Sequence, residues 1–150
     1  PALSGAWWQG SLCTDGSPAG YGIYEVDGDR IEWYYKSTGH PADYQIKLYD
    51  GRECPQFEGY AAANIWASDP AWRVEFEIDG RPCGPAERFR AYDPEAARLY
   101  SDPDRLEHKW IAPSESDHYY RVPLPEGASR VEVSATDRFG RRSTAALDLK

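Results

Sequence analysis

Methionine is absent from the 150 residues, and the chain opens on Pro1. A translated polypeptide needs an initiator, so the expectation is a piece of a longer protein. Basic charge is in deficit, with 17 Lys and Arg against 25 Asp and Glu and a net charge of −8. Phosphate backbones need a basic face, so this balance argues against nucleic acid as a partner, and equally against adsorption to a membrane through a polybasic segment. Long apolar runs are missing as well. None approaches the ~20 residues that cross a bilayer, which excludes membrane insertion through a helix. Cysteine is scarce: Cys13, Cys54 and Cys83 allow at most one intramolecular disulfide and leave a thiol over. All three lie in Gly- and Pro-rich stretches that read as loops, and none has the close spacing or His partner of a metal site. His40, His108 and His118 share no ligand spacing, and a turn or surface role is assigned to each. There is no Gly-x-Ser-x-Gly elbow for a nucleophilic Ser and no Gly-rich strand-to-helix phosphate loop.

What the sequence does have is aromatic residues, 14% of the chain within a hydrophobic share of 41%. That content excludes a disordered tail, and 150 residues are enough to bury a core without metals or crosslinks. The dominant period is two. Trp72, Val74, Phe76 and Ile78 alternate with Arg73, Glu75 and Glu77 before Asp79-Gly80, as a half-buried strand does before a hairpin turn. Val131 to Thr136 and Ser143 to Leu149 form a C-terminal hairpin around Phe139-Gly140, and Tyr21 to Val26 and Arg30 to Lys36 form another around Asp27-Gly28. Further strands are expected over Ala6 to Gln9, Tyr44 to Tyr49, Tyr60 to Ala67, Phe89 to Tyr92, Lys109 to Ala112 and His118 to Val122. Asp93-Pro94-Glu95 supplies an N-cap, a first-position proline and a first-turn acid for a short helix to about Tyr100, and Ser101-Asp102-Pro103-Asp104 starts one more turn. The pattern predicts an all-β, immunoglobulin- or fibronectin-III-like β-sandwich with one or two short helices, in a single domain over 1–150.

Asp27, Asp29 and Glu32 gather carboxylates, but without the ligand order of a calcium loop, and a hairpin turn accounts for them. The aromatic residues are the surplus to explain. In the Arg30 to Lys36 strand, Ile31, Trp33 and Tyr35 point one way, toward a core, while Tyr34 points the other way beside Lys36. Trp7 and Trp8 must face opposite sides of any strand, and Trp66 and Tyr119-Tyr120 raise the same question of exposure. Trp8, Tyr34, Trp66 and Tyr120, with Lys36 as polar partner, are therefore the candidate ligand- or partner-binding residues. Such rings either anchor a domain contact or stack on carbohydrate, the second needing polar groups beside them. No catalytic and no metal-ligating residue is assigned.

The order of several segments resembles a known family, the C-terminal domain of bacterial calcineurin-like metallophosphoesterases. The segments are Gly5-Ala6-Trp7-Trp8-Gln9-Gly10, Cys13 to Tyr24, Val26-Asp27-Gly28, Trp33 to Gly39, Tyr44 to Tyr49, Ala63-Asn64-Ile65-Trp66, Asp69-Pro70-Ala71-Trp72 and Thr136-Asp137-Arg138-Phe139-Gly140. The resemblance implies a β-rich accessory module that follows the catalytic domain of an exported enzyme, periplasmic or secreted, where one disulfide among the three cysteines would be tolerated. It implies that the partner is the preceding phosphoesterase domain of the same chain; the alternative, which the aromatic surplus offers, is a carbohydrate- or cell-envelope-binding β-sandwich module. It also implies that two divalent metals, held about 3.5–4 Å apart, belong to that preceding domain rather than to this region. The expected motifs Asp-x-His, Gly-Asp-x-x-Asp, Gly-Asn-His-Asp/Glu and Gly-His-x-His are missing. Gly28-Asp29-Arg30-Ile31-Glu32 is the nearest approach, and Gly39-His40-Pro41-Ala42 lacks the second His.

Overall fold

A computed structural model of the chain describes residues 12–150. The chain folds as two compact units, one from the segment up to Tyr44 together with Ala91–Ser116, the other from Gln45–Arg90 together with Asp117–Lys150. Strands account for 47% of the structure and helix for 9%, so the fold is all-β with few helices.

The second unit is the sandwich. Strands β3 (Ile46–Asp50), β4 (Tyr60–Ile65), β7 (Glu87–Tyr92) and β8 (Glu115–Pro123) form one sheet in the order β3-β4-β8-β7. Strands β5 (Arg73–Ile78), β6 (Arg81–Pro82), β9 (Arg130–Thr136) and β10 (Arg142–Asp148) form the other in the order β10-β9-β5-β6. The period-two pattern fixes which side chains go inside. Along β5, Phe76 and Ile78 are buried while Arg73, Glu75 and Glu77 are exposed. The register Phe76↔Val133 and Ile78↔Val131 lines these up with the inward residues of β9. Ala61, Ala63, Ile65, Tyr120 and Val122 close over them from the facing sheet in one cluster. Each fully buried Val, Ile or Phe side chain there contributes roughly 1.5–3 kcal/mol relative to exposure.

Strand β4 is buried on both faces, which explains its alanines. Its outer side is covered by an aromatic layer. The 3-10 turn Pro55–Phe57 lays Phe57 against Tyr49, Phe89 and Tyr119, with ring centroids 5.5, 5.8 and 6.0 Å away. Arg121 spreads its guanidinium over Tyr60 and Phe89, at 4.3 and 4.6 Å from the ring centroids, and donates to both oxygens of Glu87.

The first unit holds the hairpin β1 (Gly20–Asp27) and β2 (Arg30–Ser37), a two-stranded sheet, and the helix α1 (Pro94–Leu99). Asp93 caps α1 as expected, accepting from the backbone N–H groups of Glu95 and Ala96 at 2.9 Å each. The helix supplies Ala96, which clusters with Tyr100, Leu106 and Ile111. The turn foreseen at Ser101 to Asp104 is the 3-10 turn Pro103–Arg105.

Three expectations are corrected. Lys109 to Ala112 is not a strand: Lys109 and Trp110 form a turn, closed by the Ile111 N–H donating to the His108 carbonyl at 3.1 Å. The strand expected from Tyr44 begins only at Ile46. No disulfide joins the three cysteines, of which Cys13 is buried and Cys54 and Cys83 are half-buried. The strand expected over Ala6 to Gln9 lies outside the described residues.

Candidate functional site

The hairpin β1–β2 is set by its turn. Gly28 occupies the first central position with φ 63, the left-handed conformation that glycine adopts without a Cβ clash. The resulting register pairs Gly22↔Tyr35, Tyr24↔Trp33 and Val26↔Ile31 on one face, and Tyr21↔Lys36, Ile23↔Tyr34, Glu25↔Glu32 and Asp27↔Arg30 on the other. The first face carries no charged residue at all. On it the Tyr24 ring lies down over Gly22: a Cβ at Gly22 would stand 3.0 Å from Tyr24 Cε2 and 3.6 Å from Cζ. Glycine at 22 therefore lets the phenol lie flat and turn its other face to solvent, where Tyr24 is 58% exposed.

Toward its base this face is anchored. Tyr35 is buried and donates to the Pro18 carbonyl at 2.5 Å. Burial, with Cys13 and Asp15 nearby, pushes its phenol far above the usual tyrosine range. The loop beneath is a tight one: the Cys13 N–H donates to the Ser17 carbonyl at 2.8 Å, Asp15 accepts from the Ser17 N–H at 2.9 Å, and Thr14 meets Ser114 side chain to side chain. Toward the tip the face is open, with Val26 and Ile31 exposed. This corrects the expectation that Ile31, Trp33 and Tyr35 all face a core. Only Tyr35 does, because the two-stranded ribbon has no third strand among the described residues and Ile31 stays exposed.

Of the residues singled out from the sequence, Trp8 lies outside the described residues. Tyr34 and Lys36 do share a hairpin face, both half-buried. The Lys36 ammonium donates to the Ser37 carbonyl at 2.9 Å and to the His40 carbonyl, so it ties down the β2 exit. Trp66 and Tyr120 are corrected as exposed anchors: they are only 1% and 5% exposed. Tyr120 is part of the sandwich core, its hydroxyl donates toward the Asp69 carbonyl at 3.5 Å, and burial raises its pKa. Tyr21, Tyr24, Val26, Ile31, Tyr92 and Trp110 are the large hydrophobic side chains exposed among the described residues, and every one belongs to the first unit. None of these was singled out from the sequence. The signal for Tyr24 was present in Gly-x-Gly-x-Tyr, where glycines leave room for a flat ring.

The other motifs are occupied in holding the fold. Asn64 donates to the Tyr119 hydroxyl at 2.8 Å and meets His118 Nδ1 at 2.8 Å through its Oδ1, a buried polar chain. Asp69 accepts from the Ala71 N–H and pairs with Arg138 at 2.5 Å, and Asp137 accepts from the N–H groups of Phe139 and Arg141 at 2.8 Å each. No group of three or more His, Cys, Asp or Glu among the described residues is arranged to hold a metal ion. They therefore do not fit a dinuclear centre. No helix among them is long and apolar enough to cross a membrane.

These features define a class, a β-sandwich region whose polar motifs are spent on turns and whose exposed apolar side chains are segregated to one unit. The chain belongs to the family described as the C terminal of calcineurin-like phosphoesterase, which matches residues 1–142. No curated protein and no solved structure matches it.

Proposed function

We propose that this chain is a non-catalytic accessory module of a metal-dependent phosphoesterase, packing on the catalytic domain that precedes it in the family. Family membership supports the attachment. The observation that carries the packing role is the confinement of exposed large hydrophobic side chains to the first unit, since exposed apolar clusters mark contact surfaces. Two divalent metals would belong to that catalytic domain and would supply Lewis-acid chemistry for phosphate-ester hydrolysis there. This chain's residues build a scaffold and a contact face.

A carbohydrate-binding role has less in its favour. The uncharged hairpin face has no carboxylate, amide or cationic side chain beside its rings, only the ring polar groups themselves and the Ser37 hydroxyl, and sugar recognition leans on such groups. The same proposal places the enzyme in the periplasm or outside the cell. The family resemblance alone supports that location, and the cysteines, joined by no disulfide, add nothing to it.

The experiment is a comparison of phosphate-ester hydrolysis with added Mn²⁺ by the full-length protein and by the 150-residue chain. Turnover is expected only in the former, abolished there by chelation. Chelator-sensitive turnover by the chain alone would overturn the reading.

A further inference from the structure

The face of the β10-β9-β5 sheet that points away from the sandwich core carries a trough of about 400 Å³. The register accounts for it. Ser134 stands opposite Glu75 on one side and Thr144 on the other, and Glu132 stands opposite Glu77 and Ala146. The short side chains Ser134, Thr144 and Ala146 make the floor, and the longer ones of Glu75, Glu77, Arg130 and Arg142 wall it. Its volume is that of a small-molecule site.

An outward sheet face is ordinarily polar, so charge alone carries nothing here. The pairing of the groups does. Arg130 holds Glu132 at 2.9 Å and Asp148 at 2.6 Å, and Arg73 lies 3.4 Å from Glu75. The side chains of Glu77 and Arg142 make no ion pair or hydrogen bond among the described residues. Glu77 also directly faces Glu132, and like charges opposed across two strands weaken a sheet. Ser134 on the floor is only 9% exposed, and its hydroxyl has no hydrogen-bond partner among the described residues. A hydroxyl so enclosed and unpartnered is an anchor for a ligand that supplies the missing bond.

The two unpaired charges have opposite signs and stand at opposite ends. Arg142 pairs with Thr136 and Glu77 with Glu132, so they are two strands apart across the sheet and four residues apart along β9, with Ser134 midway. Strand spacing and rise put their Cα atoms about 16 Å apart. The reach of both side chains shortens the gap between the charges to the span of about two or three extended residues. A purely cationic ligand would meet Arg142, a purely anionic one would meet Glu75 and Glu77, and a neutral polyol would leave both free charges unpaired. We propose that this trough binds a short peptide with free termini, its ammonium group on Glu77, its carboxylate on the Arg142 guanidinium and its backbone on the Ser134 and Thr144 hydroxyls. The site lies wholly within the second unit and does not depend on the packing role proposed above.

The test titrates trialanine, N-acetyl-trialanine and trialanine amide into the full-length protein by isothermal titration calorimetry. The variants are Glu77→Gln, Arg142→Gln and Ser134→Ala. Glu77 and Arg142 are exposed, so thermal unfolding of E77Q and R142Q is expected to match the wild type, and E77Q removes a like-charge opposition. Trialanine is expected to bind one to one. E77Q and acetylation of the amine each weaken binding about tenfold, and acetylation costs nothing further in E77Q; R142Q and amidation of the carboxylate form a second pair of the same kind. S134A weakens binding about threefold. Absence of binding to the wild type overturns the proposal. So does binding that E77Q and R142Q leave unchanged, which assigns the peptide to another place in the protein. Losses that are the same for free and blocked peptides also overturn it, because the termini then do not meet these two side chains.

Discussion

Gly16 and Asp93 are in contact so close that no side chain fits between them: a Cβ on Gly16 would stand 2.1 Å from Asp93 Cγ and 2.3 Å from its Cβ. Asp93 cannot yield, because its carboxylate is fully buried and caps α1 through two backbone N–H groups. The loop Cys13 to Pro18 is thereby fixed against the helix start within the first unit. Gly16 also holds φ +82, which a Cβ disfavours.

Gly16→Ala is therefore expected to destabilise the chain by about 2–4 kcal/mol, from the left-handed backbone together with the displaced cap. Gly39→Ala is the control. It shares a positive φ, +78, but has nothing within 4 Å of the added methyl, so about 1–2 kcal/mol is expected. Urea unfolding measures both. Equal losses would show that Asp93 is not held as described.

The two tryptophans Trp66 and Trp110 should behave oppositely. Trp66 is 1% exposed and Trp110 is 64% exposed. Trp66→Ala is expected to cost about 3–5 kcal/mol, whereas Trp110→Ala stays within about 0.5 kcal/mol. Iodide quenching of the fluorescence lost in each variant gives a second readout, with Trp110 accessible and Trp66 shielded. A cheap Trp66→Ala would return that residue to the surface role first assigned to it.

Period two, turn chemistry and helix capping were legible because each is local. Asp27-Gly28, the Phe76/Ile78 alternation and Asp93-Pro94-Glu95 all act over a few residues, and each gave the element it announced. Whether a face is covered is not local. Ile31-x-Trp33-x-Tyr35 has the pattern of a core strand, but only the residue at the anchored end is buried, because β1–β2 pairs with no third strand among the described residues. Trp66 and Tyr120 erred the other way, since the sheet around them closes from segments far apart in the chain. Burial of an aromatic ring depends on such distant partners, and so the candidate contact residues were the least readable part of the sequence. The Lys109 to Ala112 strand failed for a similar reason: its apolar residues are drawn apart by a turn, Ile111 into the small cluster around α1 and Trp110 out to solvent.

Stability is expected to fall at both ends of the pH scale, for opposite reasons. Asp50 is held below the usual carboxylate range by the Arg52 side chain, which bonds both its oxygens, and Glu87 by Arg121. A depressed native pKa contributes stability that is present above the unfolded value, near pH 4, and lost as pH falls through the native one. Tyr35, Tyr100 and Tyr120 are raised, chiefly by burial. Their contribution is complete below the unfolded tyrosine value, about 10, and is lost as pH rises toward the native ones. Urea midpoints should be flat through neutrality and drop on either side. Asp50→Asn should flatten the acid limb, and Tyr35→Phe the alkaline one, where the part of the phenolate absorbance that Tyr35→Phe removes should appear together with unfolding. That part rising well before unfolding would contradict the buried placement of Tyr35.

The measurement that bears most directly on the whole account is sedimentation velocity of a mixture of the separately produced catalytic domain and this 150-residue chain, at low and moderate salt. One complex is predicted, weakened when exposed apolar residues of the first unit such as Val26 and Ile31 are replaced by charged ones. Independent sedimentation of the two at every salt concentration, with full-length turnover unaffected by deletion of the chain, would contradict it.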